Sequence, residues 1–563
     1  MEVGRQILQC QTNSEAFAID QQRRSANYKP NIWKYDFLQS LSSKYDEEQY
    51  KTQAERLRQD VKHLFVETVD LQAILELVDC IRKLGLASHF NDEIKEALDS
   101  VASSMKKNNF NVEGNLYFAA LSFRLLRQHG YEVSQDVFGE FLDEKGTSMK
   151  IQCEDIKGVL EVYEASHLAV EGETILDYAK AFSARILKGI NNCTVKEGNI
   201  FTRVVHALEL PHHWRVQWFD VKWQIDAYEN DQKINKLLID FAKINFNIVQ
   251  ATLQKDLKEI SRWWRNLGLT ESLKFTRDRL VESFLCSVGL VFEPHFSCFR
   301  KWLTKAIVMV LVIDDVYDIY GSLEELEHFT SAVNRWDSRI IQQLPECMQI
   351  CFQVLDSIVN ETASEMEREN GWNHAQPHLK TAWADFCQAL LVESKWYNKE
   401  YTPSLHEYLN NAWISSSGTL LSVHSFFSIM NEVEEDMLDF FGKNQELVYN
   451  ISLIIRLCND LGTSEAEQER GDAASSILCH MKETNVSEET ARTYIKDMIS
   501  KSWKKVNGQC IAKSPKLQSL VNINTNMARV VHNLYQYGDG FGVQDRENKR
   551  QIISLLVDPL KLN

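Results

Sequence analysis

Apolar residues recur along most of this 563-residue chain at intervals of three and four, the spacing that gathers them on one face of an α-helix. LQAILELVDCIRKLGL (Leu71 to Leu86) and LYFAALSFRLLRQHG (Leu116 to Gly130) are examples, and each closes near a glycine, where helices end. Runs of alternating Val or Thr are few, and 8 Pro and 22 Gly leave little for strands or long loops, so the chain reads as all-α. The first twenty or so residues are polar and expected to be loose. Amphipathic helices with short breaks follow from Tyr50 to Tyr228, the longest break falling at Asn191 to Asn199. The polar stretch ENDQKIN (Glu229 to Asn235) marks a domain boundary. The expected organisation is a flexible segment 1–22 and two helical domains, 23–232 and 233–563.

One stretch breaks the amphipathic pattern. In KAIVMVLVIDDVYDIYG (Lys305 to Gly321) an unbroken apolar run meets Asp314, Asp315 and Asp318. A helix apolar on all sides is buried, and unpaired carboxylates are costly to bury. Asp314 and Asp318 are four apart and share a helix face, where a divalent cation would offset their repulsion; an Asp-rich N-terminal turn is the plainer alternative. A second face follows another apolar run, ISLIIRL (Ile451 to Leu457): Asn459, Thr463 and Glu467 stand at i, i+4 and i+8. Amide, hydroxyl and carboxylate oxygens suit a hard cation such as Mg²⁺, and no His or Cys stands at zinc-ligand spacing with either cluster. Arg277, Arg279 and Arg456 are candidate phosphate ligands through their guanidinium forks, although any one of them alone reads more readily as a solvated ion pair. Ile414 to Gly418 (ISSSG) interrupts one helix, either as a simple connection or as a break beside a pocket.

Charge and cysteine usage narrow the function class. A net charge of −17 disfavours nucleic acid and anionic membranes as partners. The 12 Cys are scattered without a CxxC pair, which suggests neither a disulfide framework nor a zinc knuckle. No run reaches membrane-spanning length, and the N-terminus resembles neither a signal nor a transit peptide. A cytoplasmic monomer is expected, or a plastid one if a transit peptide has been removed.

Together these residues resemble the class I terpene synthases of plants over almost the whole chain. DDVYD (Asp314 to Asp318) looks like the family's aspartate-rich motif, Asn459, Thr463 and Glu467 its second metal motif, and Arg277-Asp278-Arg279 its RxR. Arg23, Arg24 and Trp33 fit the RRx8W of the angiosperm clade of monoterpene, isoprene and related synthases. The second site is NDxxTxxxE rather than a second DDxxD, unlike chain-elongating enzymes, and no DxDD is present. The resemblance implies an N-terminal α/α-barrel-like domain and a C-terminal class I terpenoid synthase helical bundle. It implies Mg²⁺, three ions with bound diphosphate, or Mn²⁺, and a prenyl diphosphate substrate contacted by Arg277, Arg456 and the lid residue Tyr535, with Asp539 nearby.

RRSANYKPNIW, VQWFDVKWQIDAYE, ENGWN and VHSFFSI are similar to the α-farnesene-forming members of that clade. They imply farnesyl diphosphate as substrate and an acyclic sesquiterpene as product, against geranyl diphosphate giving ocimene, linalool, myrcene or a cyclic monoterpene. A helical scaffold without catalysis is the non-enzyme alternative. Two positions depart from the family: Cys286 replaces a pocket Trp, which implies a roomier pocket with less cation support unless it is a neutral packing change, and Ser475 stands where some cyclases place Lys.

Overall fold

The computed structural model describes residues 23, 26, 28–106, 114–142, 155–190, 200–231, 234–371, 374–429, 442, 444–470, 474–511 and 515–562, without the side chains of 370, 466–470, 515 and 516. Among them the architecture is helical throughout, with no strand. The first half contributes α1 (Tyr35–Ser40), α2 (Glu48–Glu67), α3 (Leu71–Lys83), α4 (Asn91–Lys106), α5 (Leu116–Gln128), α6 (Ile156–Ser166), α7 (Thr174–Lys188), α8 (Ile200–Glu209) and α9 (Gln217–Glu229). The second half begins with the long α10 (Lys236–Leu267), then α11 (Leu280–Leu290), α12 (Ser297–Asp315), α13 (Leu323–Arg335), α14 (Glu346–Asn370) and α15 (Ala375–Asn398). It continues with α16 (Leu405–Ser415), α17 (Gly418–Ile429), α18 (Gln445–Arg470), α19 (Ser476–Thr484), α20 (Glu488–Cys510), α21 (Pro515–Tyr535) and α22 (Arg546–Leu556).

Local chemistry sets these boundaries. α3 and α5 end just before Gly85 and Gly130, both at positive φ. α10 starts where the Asn235 side chain accepts the Leu237 N–H at 2.9 Å and ends at Gly268, φ 65°. The polar stretch 229–235 falls between α9 and α10, yet one continuous apolar core runs through both halves. The expected break at 191–199 and the segment 1–22 lie outside the described residues.

α12 is the centre of the second half. It packs against α10, α11, α14 and α17, which explains an apolar stretch with no solvent face: Ala306, Val308, Met309, Val312 and Ile313 are fully buried. Its buried Arg300 is fixed to Asp256 of α10 at 2.7 Å. α18 lies against α16, α17, α20 and α21. The chain's last residues are tied back by side chains. Asn247 both donates to and accepts from the Leu560 backbone, while Gln250 and Gln254 donate to carbonyls of 555 and 556. This anchors α22 on α10 and fixes the far end of the segment that crosses the cavity described next.

Candidate active site

A cavity of about 380 Å³ lies between α11, α12, α16, α18 and α21, in the size range of small-molecule sites. Its lining changes character along two helices. On α12, Ile307, Val310 and Leu311 give way to Asp314 one turn on; on α18, Ile455 gives way to Asn459 and Thr463. Apolar and polar zones therefore sit at matching levels on two walls. Cys286 and Leu290 of α11, with Met527 and Val531 of α21, extend the apolar zone. Burial pushes the Cys286 thiol up, so it meets a ligand as a small neutral group.

Asp314 and Asp318 both reach this cavity, although not on a plain α-helix. α12 ends at Asp315 and continues as a π-helical turn, Val316–Tyr320, closed by the Gly321 N–H to Val316 oxygen bond at 2.8 Å. The widened turn keeps residues four apart near one face, and such turns recur at functional sites. Asp314 is half-buried and Asp318 exposed. Arg277 Nη2 pairs with Asp314 at 2.6 Å. Burial works against the Arg277 charge, but Asp315, Tyr28 and Asp314 outweigh it and raise its pKa.

On the facing wall Arg456 donates to Asn459 Oδ1 and to Ser415 Oγ, both at 3.2 Å. Its Nε–H is buried with no acceptor among the described residues, which suits an anionic ligand. The interrupted helix proves to be a break beside the pocket. α16 ends at Ser415, Ser417 takes a left-handed φ of 65°, and Ser415, Ser416 and Ser417 all line the cavity. Ser415 Oγ donates in turn to Glu393 at 2.5 Å, whose carboxyl burial raises against the pull of Arg456 and Ser415.

Cys286, Arg277, Asp314, Asp318, Arg456, Asn459, Thr463 and Tyr535 therefore converge on one cavity. Tyr535 lies against Asn459, and burial raises its phenol pKa. Glu467 is on α18, but its side chain lies outside the described residues, as does Arg24. Among the described residues no three His, Cys, Asp or Glu side chains are placed to hold a metal ion by themselves; the donors are carboxylate, amide and hydroxyl oxygens on two walls, a set that fits Mg²⁺. Arg279 corrects an expectation. It is fully buried and donates to the Phe541 and Gly542 carbonyls at 2.7 and 3.1 Å, holding the segment over the cavity instead of facing into it. Ser475 is an N-cap, accepting from Leu478 N at 3.3 Å. Gly540 and Gly542 have a packing cause: a Cβ on Gly542 would stand 1.9 Å from Asp539 Oδ2.

Sequence reasoning gave no role to several residues here. Asp315 is fully buried and accepts from Tyr28 Oη at 2.9 Å and from the Arg277 N–H at 2.7 Å. Asp460 accepts from Tyr408 Oη at 3.1 Å and from Ser476 N at 2.8 Å. Both follow a motif residue directly, a signal that was available; Tyr28, Glu393 and Tyr408 gave none. Arg23 pairs with Glu325 at 2.8 Å and covers the Tyr320 ring at 4.0 Å, beside the cavity and not in it.

Residues 32–208 match the terpene synthase N-terminal domain and 265–505 the metal binding domain of the terpene synthase family. An α-farnesene synthase of Ricinus communis is 68% identical over 100% of both chains. An (E,E)-α-farnesene synthase of Malus domestica is 58% identical over 98% of this chain and 96% of that one. The crystal structure of isoprene synthase from grey poplar leaves, in complex with three Mg²⁺ ions and dimethylallyl-S-thiolodiphosphate, superposes with a TM-score of 0.86 at 39% identity, covering 94% of this chain and 99% of that one. With both domains matched and relatives this similar along its whole length, the chain belongs to the terpene synthase family.

Proposed function

We propose that this protein is a lyase that ionises farnesyl diphosphate and releases α-farnesene and diphosphate. The observation that carries the reading is the two-zoned cavity: hard oxygen donors and two arginines at one level, an apolar wall at the other. The α-farnesene synthases of Ricinus communis and Malus domestica support the choice of substrate and product, and the three Mg²⁺ of the poplar structure support the metal.

Asp314 and Asp318 from one wall, and Asn459, Thr463 and Glu467 from the other, would hold Mg²⁺ or Mn²⁺. When bound, the metal supplies Lewis-acid charge to the leaving diphosphate. Arg277 and Arg456 offer fixed positive charge where negative charge develops, orientated in advance by Asp315, Ser415 and Asp460. The apolar wall folds the hydrocarbon chain, and Cys286 leaves it room. Tyr535 and Asp539 close the polar end, which keeps water from the cation. Loss of a proton from carbon then yields the polyene. Within the same proposal, residues 23–232 and 233–563 are the two domains and the protein acts as a cytoplasmic monomer; among the described residues no helix is long and apolar enough to cross a membrane.

Incubation with farnesyl and geranyl diphosphate in turn, each with Mg²⁺, followed by gas chromatography, is the direct test. The expected result is α-farnesene, with kcat/KM higher for farnesyl diphosphate. A clear preference for geranyl diphosphate would refute the assignment.

A further inference from the structure

Two segments remote in sequence meet over the cavity, and Tyr28 from one and Phe541 and Val543 from the other line it. A single polar cluster joins them. The Ile32 N–H donates to Gln544 Oε1 at 3.1 Å. Gln544 Nε2 donates to Glu282 Oε1 at 2.8 Å and reaches Asn31 Oδ1 at 3.3 Å. The indole N–H of Trp33 donates to the same Glu282 oxygen at 2.9 Å. Glu282 is 4% exposed and stands on α11 one turn before Cys286, so the cluster is fixed to a cavity wall. None of Asn31, Trp33, Glu282 and Gln544 lines the cavity; whatever they do for the reaction, they do through the segments they hold.

We propose that Gln544 and Glu282 are positioning residues that buckle segment 28–33 to segment 541–544, and that this buckle decides how much of the product is hydrocarbon and how much is alcohol. The proposal rests on the prenyl diphosphate reading. When the allylic C–O bond breaks, its electron pair leaves with the diphosphate. The cation has two exits. Loss of a proton from an adjacent carbon gives the polyene. If water enters, a lone pair on its oxygen forms a new C–O bond, that oxygen then loses a proton, and an alcohol of the same carbon skeleton results. The partition therefore counts water at the cation.

Gln544 is only half-buried, so Gln544→Leu removes the joint without emptying the core, and Glu282→Gln keeps the shape of the acceptor while removing its charge. Two measurements follow on the intact chain. Hydrogen exchange, read without substrate, should rise roughly tenfold or more in residues 31–33 of Gln544→Leu, the scale expected from losing hydrogen bonds to a buried carboxylate. With farnesyl diphosphate and Mg²⁺, the alcohol-to-hydrocarbon ratio should rise severalfold in both variants, more than KM changes; a purely structural role would lower total turnover at constant ratio. Unchanged exchange in both variants overturns the buckle, and so does faster exchange with the wild-type product ratio. A wrong substrate assignment would show differently, as a wild type inactive with farnesyl diphosphate while the exchange arm still reads the joint.

Discussion

Asp315→Asn separates the structural member of the aspartate cluster from its cavity-facing neighbours. The Asp315 carboxylate is fully buried and takes three groups: Tyr28 Oη at 2.9 Å, the Arg277 N–H at 2.7 Å and Arg277 Nε at 3.0 Å. These divide between its two oxygens, Oδ2 accepting the backbone N–H. An amide preserves one oxygen and sets an NH₂ where the other stood, so one donor faces another donor. Losing a hydrogen bond to a buried charged acceptor costs roughly 1.5–3 kcal/mol. Removing one partner of a buried ion pair costs about 3–5 kcal/mol, but Arg277 keeps Asp314 at 2.6 Å, so the lower part of that range applies. The two figures describe the same lost contacts and are not added, so the cost is about 3 kcal/mol, a large share of the roughly 5–15 kcal/mol that keeps a protein folded. Urea unfolding of the two variants Asp315→Asn and Asp314→Asn, with Mg²⁺ titration of activity alongside, measures the difference. Asp315→Asn should lose stability, and Asp314→Asn should raise the Mg²⁺ concentration for half-maximal rate much more than it lowers stability. If Asp315→Asn unfolds with the wild type and shifts the Mg²⁺ requirement as far as Asp314→Asn, the reasoning fails.

Two further outcomes follow from buried groups. His424 is 1% exposed and neither ring nitrogen has a partner among the described residues, so burial lowers its pKa from 6.5 to about 4. The fold holds the neutral ring: its contribution is complete above pH 6.5 and is lost as the pH falls through about 4, amounting to about 2 kcal/mol at pH 5. Urea unfolding of His424→Leu should therefore show a smaller drop between pH 7 and pH 5 than the wild type shows, by about that amount. Cys286→Trp inserts a large ring into a packed wall, an overpacking of about 1–3 kcal/mol for a ligand that needs the space. The ratio of kcat/KM for farnesyl over geranyl diphosphate should fall by roughly tenfold, and an unchanged ratio would make Cys286 a neutral packing substitution.

Helix positions were legible because burial imposes a period that the chain must keep. α3 and α5 lie within the stretches picked out by apolar spacing and stop within two residues of Gly85 and Gly130. What periodicity does not carry is the capture of irregular backbone by distant polar side chains. Asn247 holds Leu560 and Arg279 holds Phe541, contacts that give neither partner a pattern of its own. Arg279 was misread for this reason. Its spacing from Arg277 says that two guanidiniums are close along the chain, but Arg279 stands at the start of α11 with φ −131° and ψ 38°, neither helical nor extended, so spacing does not tell which way its side chain turns. The break between α9 and α10 at 229–235 was visible as polarity, whereas the core running across it was not, since a shared core needs no special residue at the joint.

The aspartates show what spacing can and cannot decide. Asp314 and Asn459 were found because each shares a face with a residue four positions on. Asp315 has only the apolar Ile319 four positions on, and Asp460 was passed over although Ser464 stands there, yet these two aspartates are what both walls have in common. Each follows directly after the cavity-facing residue, each is buried, and each takes one tyrosine and one arginine: Tyr28 and Arg277 for Asp315, Tyr408 and Arg456 for Asp460. One turn of helix thus presents an oxygen donor to the cavity and buries the next carboxylate, Asp315 behind the wall and Asp460 at the cavity's edge, where it orients the arginine that faces the same cavity. Buried, those carboxylates need a cation beside them; beside a cavity, that cation becomes a fixed positive charge that requires no reorganisation when a diphosphate leaves. The proposed metal face and phosphate face are therefore one construction made twice, and substitution of either buried aspartate should disturb arginine placement before it disturbs any oxygen donor.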